Sequence, residues 1–142
     1  MSYTKIWIHF IWSTKNRAPL LNKHLREELF AHIRSSADSK GIILDTIGGH
    51  VDRAHALLQL KAVQSPAFVM QNIKGESTHW VNSGRLSQGK FEWQDDYYAL
   101  SVSQSNVDVV RKYILQQEEH HRVRTFQEEC DRIFNGVVSA PA

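Results

Sequence analysis

The sequence predicts an α+β fold: a ferredoxin-like (RRM-like) βαββαβ antiparallel sheet with helices on one face, followed by C-terminal helices. Three observations carry this expectation. Short runs rich in β-branched and aromatic residues alternate with stretches whose apolar residues recur every three to four positions. The strand-like runs are grouped one, two, one around two helical stretches, and two more helical stretches close the chain. The 142 residues show no internal repeat or linker, a length suited to one core. One domain over residues 1–136 follows, with 137–142 as a flexible tail.

The first strand is read in YTKIWIHFIW, Tyr3 to Trp12, with bulky residues on both faces. Leu21, Leu25, Leu29 and Ile33 then mark one stripe of a helix from about Asn22 to Lys40, stopped by Gly41. Ile42–Ile47 and Ala54–Leu60 read as strands of a hairpin, joined by a turn-like GGHVDR that begins at Gly48. Ser65 and Pro66 form a cap and first-turn signature, and the helix they open carries Val69, Ile73 and Trp80 inward. Tyr98–Val102 alternates as the last strand. Ser105 with Asp108 resembles a capping box for a third helix, which buries Val107, Val110 and Ile114 and runs to about His121. Thr125 with Glu128 repeats that signal before a short helix marked by Phe126, Ile133 and Phe134. In such an arrangement the second sheet face is expected to be open to partners.

Composition narrows the function classes. Cys130 stands alone, so neither an intramolecular disulfide nor a cysteine-built zinc site can form. No apolar run approaches the roughly 20 residues that span a bilayer, and no signal-peptide pattern is seen, so a cytoplasmic setting without membrane is expected. The net charge of +2 conceals an asymmetry: +4 through Asp95 and −2 from Asp96 onward. Phosphates would therefore meet the first part, and Glu118, Glu119, Glu128 and Glu129 are expected away from them or against a partner subunit.

Chemistry-bearing residues fall into three groups. On a strand, residues two apart share a face, so Arg53 and His55 point together. No H-x-H pair exists to aim two imidazoles at a metal, and no His begins the H-x-S or H-x-T tripeptide of two-histidine phosphoesterases. On the third helix, Tyr113 and Gln117 lie one turn apart. A tyrosine phenolate can attack phosphorus if activated, and an amide oxygen can ligate a hard cation. By spacing alone the pair equally suits a core-edge Tyr and a rim Gln. Lys74, Thr78 and Asn82 on the second helix, with Arg111 and Lys112 on the third, could hold phosphates or simply form solvated faces. Most of the Trp and Tyr residues that could stack on bases read as core.

Taken together, YTKIWIHFIWSTKNR, IGG, AHALLQL, IKGESTHWVN, FEWQDDYYALSVSQSN and VRKYILQQEEHHRVRTFQEE resemble the small single-tyrosine HUH transposases of insertion sequences and the related REP-associated tyrosine transposases. The resemblance implies single-stranded DNA with hairpins as substrate, a homodimer, a divalent metal (Mg or Mn), and strand cleavage and rejoining through a covalent phosphotyrosine. Carried over by position, it makes Tyr113 the nucleophile and His55 and Gln117 metal ligands. Arg53 stands where the first motif His belongs, and a guanidinium has no lone pair to give a metal. Arg53 could instead grip a phosphate, leaving a catalytically impaired or domesticated hairpin-binding protein as the alternative. A substitute ligand from His50, Asp52 or His9 is the other route.

Overall fold

The computed structural model describes residues 2–117 and 124–135. The third helix ends at Leu115, with Gln116 as its C-cap, short of the expected His121; the placement of Glu118 and Glu119 and the tail 137–142 lie outside the described residues.

Four antiparallel strands form one sheet in the order β2-β3-β1-β4: β1 (Ile6–Ser13), β2 (Ile43–His50), β3 (Arg53–Leu60) and β4 (Tyr98–Val102). Helices α1 (Lys23–Ser39) and α2 (Pro66–Ser83) fill the two crossovers, and α3 (Val107–Leu115) and α4 (Phe126–Phe134) follow β4. The expected βαββαβ order is present. β1 lies inside the sheet because its residues are apolar on both sides. Ile8, Phe10 and Trp12 meet α1 and α2 in the main core, with Ala54, Ala56 and Leu58 of β3. Trp7 and Ile11 point the other way.

That second face is covered, contrary to the expectation that it lies open. Trp7 and Leu57 pack with Val107, Val110 and Ile114 of α3, while Ile11 packs with Phe126, Cys130 and Ile133 of α4. Alternate large apolar residues on a central strand require cover on both sides, and the C-terminal helices supply it.

Local signals account for most boundaries. Asn22 caps α1 by accepting from the Leu25 amide, and Ser65 caps α2 by accepting from the Phe68 amide. The expected Thr125–Glu128 capping box closes α4 at both bonds. The Ser105–Asp108 box does not form. A 3-10 turn over Gln104–Asn106 precedes α3 and leaves Asn106 at its start without a side-chain cap, and Asp108 pairs with Arg111 instead. Trp80 is half-buried at the edge, stacked on His32, while Val81 takes the fully buried position.

The β2–β3 hairpin is longer than its pattern suggests. Gly48 and Gly49 belong to β2 rather than to the turn, which is confined to Val51 and Asp52. The reason is close approach: a Cβ on Gly48 would lie 2.4 Å from the Ile114 carbonyl oxygen, so the missing side chain lets α3 sit directly on β2. Gly48→Ala is expected to push α3 outward and to lower stability by about 1–3 kcal/mol. Urea unfolding measures this, and an unchanged midpoint would contradict it.

Candidate functional site

Strand alternation places Arg53 and His55 side by side on the face of β3 that α3 and α4 cover. His9 of β1 joins them diagonally, since His55 opposes Ile11 and His9 opposes Leu57. Its Nε2 lies 2.9 Å from His55 Nδ1. From above, Tyr113 of α3 and Gln117, two residues past the end of that helix, reach into the same space. The Tyr113 ring sits 5.8 Å from the His55 ring and 6.3 Å from the His9 ring, centre to centre. The four residues that the sequence singles out for this centre, Arg53, His55, Tyr113 and Gln117, therefore converge.

What they converge on is Glu129 of α4. Its carboxylate is fully buried, with Arg53 Nη1 at 2.8 Å and His55 Nε2 at 3.1 Å from Oε1. Oε2 accepts from the Tyr113 hydroxyl and, at 3.0 Å, from Gln117 Nε2. The expectation that Glu129 stands away from the phosphate-binding surface is thus corrected. A guanidinium buried on β3 needs a counter-charge, and Glu129 provides it. The α4 sequence carries a signal for this: Phe126, Cys130 and Ile133 form its inward stripe, and Glu129, three residues after Phe126, lies on that stripe. Arg53 is also held by Asp52 Oδ1 at 2.9 Å and by the Phe126 ring, 5.5 Å from its guanidinium carbon.

The electrostatics follow from this packing. Burial opposes the charged form of Glu129, but the charge and hydrogen bond of His55, then the bonds from Tyr113 and Arg53, outweigh it and hold the carboxyl well below its ordinary range. Burial, together with the charge of Glu129 and the bond to it, pushes the Tyr113 phenol well above its ordinary value. His9 is driven down, first by burial and then by His55, with Glu129 opposing, and so is neutral at pH 7. Cys130, beside the pair, is pushed up to about 12 by burial and then by the charge of Glu129, which leaves it an inert core thiol.

A divalent cation needs lone pairs, and the arrangement offers few. A carboxylate can only accept, so His55 Nε2 carries a proton, and its Nδ1 is taken up with His9. Gln117 Oε1 is buried without a hydrogen-bond partner among the described residues, a feature that would suit a ligand. The Arg53 guanidinium, however, lies against the same carboxylate oxygen as His55. No group of three or more His, Cys, Asp and Glu among the described residues is placed to hold a metal. His55 and Gln117, so arranged, do not fit a divalent cation. Of the substitute ligands, His9 is engaged with His55 and Asp52 with Arg53, while His50 stands opposite Arg53 across the β2–β3 ladder.

The remaining candidate phosphate contacts lie elsewhere. α2 is across the sheet, where the Lys74 ammonium donates to the Gln94 and Asp95 carbonyls. Asn82 clamps the backbone of Phe91 through both amide atoms, at 2.8 and 3.0 Å. Thr78 lines a shallow cleft with Lys74, Trp93 and Asp95. Arg111 grips Asp45 with two bonds of 2.7 and 2.8 Å and also holds Asp108, whereas Lys112 is exposed. Trp7, Trp12 and Trp93 are core residues and cannot stack on a base.

Comparison with known proteins places this geometry in context. A family model described as "Transposase IS200 like" matches residues 2–117. A crystal structure from Deinococcus radiodurans, provisionally described as a transposase, is 26% identical with a TM-score of 0.67, covering 80% of this chain and 91% of its own. The structure of a REP-associated tyrosine transposase bound to a REP hairpin shares the fold at 14% identity and a TM-score of 0.65, covering 100% of this chain and 89% of its own. No curated protein sequence gives a significant match.

The Glu129 pairing makes stability depend on acid. The folded carboxyl is held below its ordinary 4.5, so its contribution is complete above that value and is lost as pH falls through the lower folded value. Between pH 7 and pH 2 the wild type should lose on the order of a few kcal/mol more than Glu129→Gln, since each tenfold gain in the acidity of the folded carboxyl is worth about 1.4 kcal/mol. Chemical denaturation across that range tests it, and parallel curves for the two proteins would contradict it.

Proposed function

We propose, from the premise that this chain belongs to the IS200-like transposase family, that it recognises hairpins in single-stranded DNA and transfers strands through a covalent bond to Tyr113. The observation that carries the reading is the convergence of Tyr113 from α3, and of Gln117 just past its end, on the His55 and Arg53 face of β3. In the proposed step the Tyr113 oxygen forms a bond to phosphorus as the phosphorus–oxygen bond to one sugar breaks. The phenolic proton is released and the departing sugar oxygen takes one up, so the ester is conserved and rejoining is the reverse reaction. Arg53 donates to the phosphoryl oxygens and stabilises the charge that develops there. Glu129 accepts from the Tyr113 hydroxyl, and His55 and His9, two imidazoles joined by a hydrogen bond, lie beyond that carboxylate as a place for a proton to rest.

Tyr113 faces the His55 of its own chain. A homodimer, which the resemblance implies, would therefore bring two sites together rather than complete one. Among the described residues no helix is long and apolar enough to cross a membrane.

A second reading is favoured by two specific observations, the Arg53 substitution and the position of Glu129: a hairpin-binding protein that does not cleave. Single-stranded oligonucleotides that fold into hairpins, drawn from the DNA flanking the gene, separate the two. Strand transfer predicts a covalent protein–DNA adduct in wild type that survives denaturing electrophoresis and is abolished by Tyr113→Phe. Binding that is unaffected by Tyr113→Phe, with no adduct from wild type or from Arg53→His, would establish the second reading instead.

A further inference from the structure

We propose that the centre of this site holds an oxyanion beside a fixed guanidinium rather than a divalent cation, and that Glu129 is the resident carboxylate with which a DNA phosphodiester exchanges. The inference rests on the nucleic-acid reading above and assigns the chemistry of its central subsite.

The direction of the hydrogen bonds is the first argument. Each described contact to the carboxylate comes from a donor: Arg53 and His55 to Oε1, Tyr113 and Gln117 to Oε2. A metal site shows the opposite polarity, with lone pairs converging on one point. Turning the Gln117 amide to present its oxygen would set that oxygen against Oε2, which repels it.

Charge and shape give the second argument. A phosphodiester is a monoanion with two non-bridging oxygens, and the carboxylate of Glu129 is a monoanion with two oxygens. The donors are divided two to each oxygen, so the same set can receive a phosphodiester in place of the carboxylate. Arg53 stays in position during such an exchange because Asp52 holds its Nε at 2.9 Å. An arginine so fixed supplies permanently, whatever the metal supply, the positive charge that a metal would otherwise bring.

The third argument concerns α4 itself. The helix has nine residues and is anchored on the sheet by Phe126, Cys130 and Ile133, with Phe134 against the Tyr98 ring. The anchor is small beside the main core under α1 and α2. Glu129 thus belongs to the smallest of the apolar clusters among the described residues, and its ion pair with Arg53 is what a competing anion would replace.

The test uses the full chain, with inorganic phosphate and manganese as probes. Inorganic phosphate should raise the unfolding temperature of Glu129→Ala by roughly 2–4 °C over chloride at equal ionic strength, and shift wild type less. The shift should vanish in Glu129→Ala/Arg53→Gln. The isosteric Glu129→Gln serves if the alanine variant does not fold, with the same ordering expected. In parallel, the electron paramagnetic resonance signal of aqueous manganese should be unchanged by wild type and depleted by Arg53→His. Manganese captured by wild type would overturn the proposal, as would a phosphate shift absent from both Glu129 variants or manganese left free by Arg53→His. These measurements involve no DNA. If they come out as expected while no adduct forms, the strand-transfer reading fails and the oxyanion site stands. Adduct formation together with manganese capture by wild type gives the reverse.

Discussion

A permanent cation buried at the centre of a sheet is the constraint on which the rest of this structure depends. Arg53 is fully buried on β3, and taking a guanidinium out of water is unfavourable by several kcal/mol unless a partner of opposite charge meets it. Glu129 and Asp52 meet it. Because Glu129 stands on α4, the need to neutralise Arg53 determines which face of that helix turns inward. Because the same carboxylate also receives Tyr113 and Gln117, it ties α3 and α4 to one point. The raised Tyr113 phenol and the raised Cys130 thiol are consequences of that one buried charge together with burial.

The sheet makes such a centre workable by having two apolar faces. α1 and α2 supply the large core on one side, which leaves the other side to combine a smaller apolar contact with polar chemistry. Gly48 lets α3 approach β2 at backbone distance and so brings Tyr113 over the β3 residues. A metal-dependent site of this architecture would present lone pairs at this point. Here a guanidinium and a carboxylate neutralise each other, and the question of function becomes one of which anion occupies the position.

Much of this was legible in the sequence because it depends on local rules. The apolar stripes of α1 and α2, the Ser65–Pro66 and Thr125–Glu128 signals, and the shared face of Arg53 and His55 all follow from spacing. Spacing likewise pairs Tyr113 with Gln117 on one helix, whereas α3 ends at Leu115 and the two meet at Glu129 across its C-cap. What escaped depends on tertiary contact. Gly48 and Gly49 have the composition of a turn, and only close approach explains why they are strand, by Ile114 at the first and by Arg53 and Phe30 at the second. The Ser105–Asp108 pattern was overridden by a 3-10 turn and by Arg111. Glu129 resembled one more residue of an acidic segment, although its place on the stripe of Phe126, Cys130 and Ile133 marks it as buried. Charge counted along the chain carries no information about which carboxylate is drawn inward, since that depends on a cation 76 residues earlier.

The central claim is that Arg53 and Glu129 act as one unit, and a double-mutant cycle in folding stability addresses it most directly. With Arg53→Met, Glu129→Leu and the combined variant, each single change should be destabilising by about 3–5 kcal/mol, because it strands the other charge in the core. The combined variant should be more stable than the sum of the two losses by at least about 2 kcal/mol. Additivity within about 0.5 kcal/mol would show that the two side chains do not depend on each other, and would contradict the account.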